Sequence, residues 1–196
     1  MKIGITGGIG SGKTYVCNII SSLGFPVYNC DTRAKALMAT SPALVSEIKQ
    51  LIGCNAYNND GTLNKEAIAN FLFANKANAQ KINQLVHPAV KKDFMQWSSE
   101  QKSELVFMES AILFESKFDD VVDCTIAVCA PAELRLQRAI QRDNTSREKV
   151  ESRMRQQFTD QELQQLSDFQ LINDGKADIL KQTTELLARL SKTATP

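Results

Sequence analysis

The chain has 196 residues, 43% hydrophobic and 23% charged, which fits a globular protein with one core, or one core and a modest insertion. Lys plus Arg number 23 and Asp plus Glu 22, so the net charge of +1 excludes the broad basic excess of a protein that wraps a polyanion, though not a local basic patch. No apolar run approaches the ~20 residues of a membrane helix and no signal-peptide pattern opens the chain; five scattered cysteines without a C-x-x-C pair read as reduced cytoplasmic thiols, and a single histidine excludes zinc sites built on several.

Lys2–Thr6 is predicted as a short apolar strand that runs into a glycine-rich loop, with a helix over Thr14–Leu23 closed by Gly24. Phe25–Cys30 reads as a second strand and Asp31–Ala39 as helix. Ser41 can cap the next helix and Pro42 suits its first position; Leu44, Ile48, Leu51 and Ile52 form a stripe that Gly53 ends. Asp60–Gly61 is a turn, and Asn64 can cap a helix through Ala74. Ile82, Val86, Val90, Phe94 and Trp97 recur at helical spacing, with Pro88 expected to break or kink that helix just after His87. Leu105–Met108 and Cys124–Cys129 read as buried strands, the second followed by a helix over Glu133–Arg142. Thr145 with Glu148, and Thr159 with Glu162, match the S/T-x-x-E capping box. Phe169–Ile172 is a last strand, Asp174–Gly175 a turn, and Lys176–Leu190 a closing amphipathic helix. Strands separated by helices predict an α/β protein with a parallel, five-stranded sheet. Residues 42–100, helical without strands, read as an insertion beside it.

The sharpest motif is Gly7-Gly8-Ile9-Gly10-Ser11-Gly12-Lys13-Thr14, which fits G-x-x-x-x-G-K-[ST] between a predicted strand and a predicted helix. Glycines let the backbone approach phosphates closely, and the N–H groups of the loop and helix start bind the anion. The expected nucleotide contacts are Gly8, Gly10, Ser11, Gly12, Lys13, Thr14 and Tyr15. Lys13 is expected on the β/γ-phosphates and the Thr14 hydroxyl on Mg²⁺. The run is not the dinucleotide fingerprint G-x-G-x-x-G, so NAD is not indicated. A regulatory GTPase needs N-K-x-D; Asn64-Lys65-Glu66-Ala67 lacks the Asp, and there is no D-x-x-G. A compact kinase acting on a small molecule fits best.

Such a kinase needs a group to orient the acceptor hydroxyl, cations over the transferring phosphoryl and an acceptor pocket. Asp31, directly after the second strand, serves equally as that carboxylate or as a helix N-cap. Arg135, Arg138 and Arg142 fall at i, i+3 and i+7, with Arg147, Arg153 and Arg155 on the next helix; the cluster reads as a lid over ATP or as a solvated face paired with Asp143, Glu148 and Glu151. Glu109 ends the apolar strand Val106-Phe107-Met108-Glu109 as a Walker-B acid would, holding Mg²⁺ through water. His87 reads on its own as a structural histidine, and Cys124 and Cys129 as buried thiols.

Over residues 1–190 the chain resembles the dephospho-coenzyme A kinase family. The resemblance rests on the opening Ile5–Thr14, on Asn29-Cys30-Asp31 where the family usually carries D-A-D, on Asp60-Gly61-Thr62-Leu63, Phe73-Ala74-Asn75 and Leu85-Val86-His87-Pro88, on Ala111-Ile112-Leu113-Phe114-Glu115, on Gln137-Arg138 with Gln141-Arg142-Asp143, on Gln157, and on Asp168 with Ile172-Asn173-Asp174-Gly175. It implies a P-loop kinase fold: a nucleotide-binding core over 1–41, 104–134 and 168–196, a helical acceptor-binding part over 42–103 and a lid over 135–167. It also implies transfer of the γ-phosphoryl of ATP, with Mg²⁺, to the ribose 3′-hydroxyl of dephospho-coenzyme A. Asp31, Lys13 and Arg142 are then catalytic, and Arg138, Arg142, Asn173 and Gly175 join the nucleotide contacts. Thr6, Asp31, His87 and Glu115 fall on the acceptor side. Three positions depart from the pattern: Asn29 for Asp, Ala111 for Pro and Thr14 for the commoner Ser. A cytoplasmic monomer that engages neither nucleic acid nor membrane is expected. Another P-loop metabolite kinase and a non-catalytic nucleotide switch are the competing readings.

Overall fold

Five short apolar runs become the sheet, and their register decides which side chains meet at its edge. The structure, a computed structural model, describes residues 1–194. Among these, the strands are β1 (Lys2–Thr6), β2 (Val27–Asn29), β3 (Val106–Glu109), β4 (Cys124–Cys129) and β5 (Phe169–Ile172). Their order is β2-β3-β1-β4-β5, and every pairing is parallel. All five C-terminal ends therefore share one edge, with β1 between the neighbours at which the strand order reverses; this is where open α/β sheets bind ligands. Register sets Ile5 and Asn29 beside Glu109, and Thr6 beside Ala127.

Alternation sorts the strand side chains. Ile3, Ile5, Phe107, Ile126, Val128 and Leu171 form one core with Val16 and Ile20 of α1 (Lys13–Ser22) and Leu186 and Leu190 of the closing helix (Ile179–Ala194). Full burial of each such side chain contributes about 1.5–3 kcal/mol. Ala127 and Cys129 form a second cluster with Leu163, Phe114 and Phe158.

Residues 30–97 form a compact unit of their own. It holds α2 (Cys30–Thr40), α3 (Pro42–Ile52), α4 (Lys65–Ala74) and all but the last two residues of α5 (Lys76–Ser99). Asn64 caps α4 by accepting from Ala67 N at 3.1 Å. Of the break or kink expected at Pro88, the break does not occur: α5 runs through it. A proline inside an isolated helix costs about 3 kcal/mol. Here the buried stripe Ile82, Val86, Val90 and Phe94 continues on both sides of Pro88, so packing overrides the local penalty. The Arg33 guanidinium ties α2 to α5 by a fork onto Asp93 at 2.7 and 2.8 Å.

From residue 98 onward the chain rejoins the first unit. It continues through α6 (Ala132–Asp143), α7 (Arg147–Met154), α8 (Asp160–Leu166) and the closing helix, α9. The Thr159–Glu162 capping box forms. The Thr145 box does not: α6 runs on to Asp143 and ends on left-handed Asn144, φ +45°, which leaves Ser146 at the α7 cap position. Ser41 stands at the cap of α3 but makes no side-chain capping bond. Cys30 opens α2 rather than ending β2, and the helix after the glycine loop starts at Lys13. Finally α9 starts at Ile179, not Lys176, because Asp174 accepts from Lys176 N and Ala177 N and holds that stretch as a turn.

Candidate active site

Between Thr6 and α1 the backbone adopts what the glycines permit. Gly10 has φ +78° and Gly12 +95°, both left-handed. A side chain at Gly10 would also strike the Arg135 carbonyl, and one at Gly12 the Asn173 amide. No acidic residue stands in the first turn of α1, so its positive end is left for an anion. The hydroxyls of Thr6 and Ser11 are buried and, among the described residues, make no hydrogen bond.

Beside the loop the register builds a small polar cluster. Thr14 Oγ1 donates to Glu109 Oε1 and Asn29 Nδ2 to Glu109 Oε2, both at 2.7 Å. An aspartate at 29 would set a second carboxylate against Glu109, whereas Asn29 satisfies it. Among the described residues no three His, Cys, Asp or Glu side chains gather to hold a metal. The hydroxyl and carboxylate are hard oxygen donors suited to Mg²⁺, which draws most of its ligands from phosphate and water. Burial and the nearby Glu109 push the Cys17 thiol far up, so it stays neutral.

The C-terminal segments brace the same loop. Asn173 Nδ2 donates to Ser11 O at 2.8 Å, and Arg138 Nη1 donates to Asn173 O at 3.0 Å. Gln157 Oε1 accepts from Ile9 N at 2.9 Å while its Nε2 donates to Ala111 O at 3.0 Å. Glu115 accepts from Phe158 N at 3.1 Å, which places it against the turn before α8. Gly175 has φ +82° with open space around it, and Tyr15 is exposed.

The structure divides the arginine cluster. Arg142 forks onto Asp143, which Arg153 also contacts, and the two guanidinium groups hold that carboxyl well below the usual range. Arg147 pairs with Glu133 and Glu151. Such exposed pairs contribute little and open readily. Arg135 departs from the expected exposed face: it is 7% exposed, packed on the loop. Ala139, one turn on, is buried on the same helix.

In the helical unit Asp31 is exposed in the first turn of α2, two residues past the cap position, where its charge suits the helix dipole. His87 is half-buried in α5; burial, then the charge of Lys91, lowers its pKa, so the ring is neutral at pH 7. A cleft of about 430 Å³ within this unit is lined by Leu37, Leu44, Leu85 and Pro88 beside Glu47 and Lys92.

The phosphate loop alone would fit many kinases; the rest of the chain narrows the choice. Residues 1–178 match the family model described as CoaE, dephospho-CoA kinase. The chain belongs to the dephospho-CoA kinase family. It is 44% identical to the dephospho-CoA kinase of Bacteroides fragilis over 191 residues, 97% of this chain and 93% of that one. The fold is similar to TT1252 from Thermus thermophilus, with a TM-score of 0.83 at 32% identity, covering 98% of this chain and 97% of that one. It also resembles the dephospho-CoA kinase of Campylobacter jejuni, with a TM-score of 0.71 at 24% identity over 98% and 99% of the two chains. Among the described residues no helix is long and apolar enough to cross a membrane. Ala111, where the dephospho-CoA kinase pattern has proline, sits in a turn closed by Ser116 N donating to Ile112 O at 2.9 Å and Phe118 N to Leu113 O at 2.7 Å. The turn holds without the ring.

Proposed function

We propose that this chain transfers the γ-phosphoryl group of ATP to the ribose 3′-hydroxyl of dephospho-coenzyme A, giving coenzyme A and ADP in the cytoplasm, as a monomer without nucleic-acid or membrane partners. The observation that carries this reading is the family match over residues 1–178, which spans both the phosphate loop and the helical unit. The loop N–H groups and the start of α1 bind the phosphates, and Lys13 stabilises charge on the transferring group. Arg138 and Arg142 close over the nucleotide, Arg142 by exchanging Asp143 for phosphate. Asn173 and Gly175 border the adenine. Residues 135–167 act as the lid and 42–103 as the acceptor-binding part; the cleft of mixed lining there suits a long, amide-bearing acceptor.

Asp31 takes or orients the 3′-hydroxyl proton, and Thr6, His87 and Glu115 shape the acceptor side. Thr14, and Glu109 through water, would hold Mg²⁺, which when bound neutralises charge on the phosphates. An ADP-release assay against a panel of acceptors tests the whole reading. Turnover with dephospho-coenzyme A and a new 3′-phosphate is the expected result; turnover only with a nucleoside monophosphate, or none with any acceptor, overturns it.

Gln157 yields a second test. Gln157→Ala leaves Ile9 N–H without its partner, a cost of about 1–3 kcal/mol. A fall in Tm of about 2–12 °C by thermal shift and a rise in KM for ATP of at least about threefold are expected. An unchanged KM would reduce Gln157 to a tie within the fold.

A further inference from the structure

Arg135 is a buried cation with an unusual neighbour. Its Nη1 occupies the place that a side chain would take on Gly8, and its carbonyl crowds Gly10. The first turn of α6 thus presses both main chain and guanidinium onto the phosphate loop. The charge partner is Asp160, the first residue of α8, at 3.4 Å, with side chains 8% and 24% exposed. The pair is loose. Arg135 Nε and Asp160 Oδ1 are both buried and, among the described residues, make no hydrogen bond. Cys129, in the apolar cluster with Ala127 and Leu163, lies near enough to feel both charges.

A buried arginine with an unmet donor is a costly way to pack two helices; well-fitted apolar side chains do it at least as well. What apolar residues do not provide is a charge. In apolar surroundings the field of a loosely paired guanidinium is weakly screened and reaches the loop's far side.

We propose that Arg135 is a positioning residue for the nucleotide: held against Gly8 by Asp160, its guanidinium supplies fixed positive charge behind the phosphate loop, strengthening phosphate binding without touching the phosphates, while Asp160 tempers it. This rests on the nucleotide-binding reading above, and its test needs no acceptor. Mg·ATP and ADP are titrated calorimetrically into the full chain and into Arg135→Gln, Arg135→Lys and Asp160→Asn, with Tm measured for each.

Arg135→Gln is expected to weaken ATP binding about tenfold, the scale of one partly screened unit charge, and Arg135→Lys to stay within about threefold of the parent. Asp160→Asn is expected to tighten ATP binding about threefold even as its Tm falls. The opposite signs are the signature, because a mere tie between α6 and α8 makes both losses weaken binding in step with Tm. ATP affinity of Arg135→Gln within about twofold of the parent, or an Asp160→Asn that weakens binding, overturns the proposal. Should Arg135→Gln fail to fold, the sign of the Asp160→Asn effect decides. A parent chain that binds no ATP takes the kinase reading down with it; a parent that binds ATP with unresponsive variants removes this proposal alone.

Discussion

Replacing Lys13 with alanine is expected to lower kcat about 10²–10³-fold, the loss seen when one preorganised donor is removed from a developing negative charge. Lys13 is the first residue of α1, at the helix end where phosphate charge collects. Its side chain is half-exposed and outside the hydrophobic core, so stability should hold: Tm within about 2 °C of the parent by thermal shift. The split between kcat and Tm is the informative quantity. A charge that binds ground state and transition state equally would raise KM for ATP and spare kcat; one that tightens as charge moves to the leaving oxygen lowers kcat. Arginine at this position keeps the charge but changes its shape and reach, so Lys13→Arg should recover little. Full activity in Lys13→Ala would remove the phosphate loop from the mechanism.

The phosphate loop was legible in the sequence because all that defines it is local: a strand, a run of glycines, a lysine and a helix start. The polar groups that hold it are not local. Gln157 reaches Ile9 from 148 residues away and Asn173 reaches Ser11 from 162 away, and no spacing rule connects them. Resemblance to a family marked both residues, yet only geometry showed that each bonds the loop's own backbone. Pro88 shows the reverse failure. Its breaking tendency is a local property, while the apolar stripe that overrides it spans three turns of α5. The arginines failed differently again. Their spacing put Arg135, Arg138 and Arg142 on one face, but spacing says nothing of depth, and the structure buries Arg135 while leaving Arg142 on Asp143 at the surface.

On position alone Asp31 had two roles in balance, family resemblance favoured the catalytic one, and one substitution separates them. Asp31→Asn keeps the size and shape and removes the charge. If the carboxylate only complements the α2 dipole, the loss is about 0.3–1 kcal/mol of stability with kcat intact. If it takes or orients the acceptor proton, kcat falls at least about 10²-fold while the ATP Kd, measured by calorimetry, stays within about threefold of the parent. The exposure of Asp31 makes the comparison clean, since no core contact is disturbed. Two residues earlier, Asn29 gives its amide to Glu109, which commits that carboxylate to hydrogen bonding at the end of β3 and leaves Asp31 as the acid of the Asn29-Cys30-Asp31 segment. A kcat loss under about threefold in Asp31→Asn would sink the base assignment and return the residue to its helix.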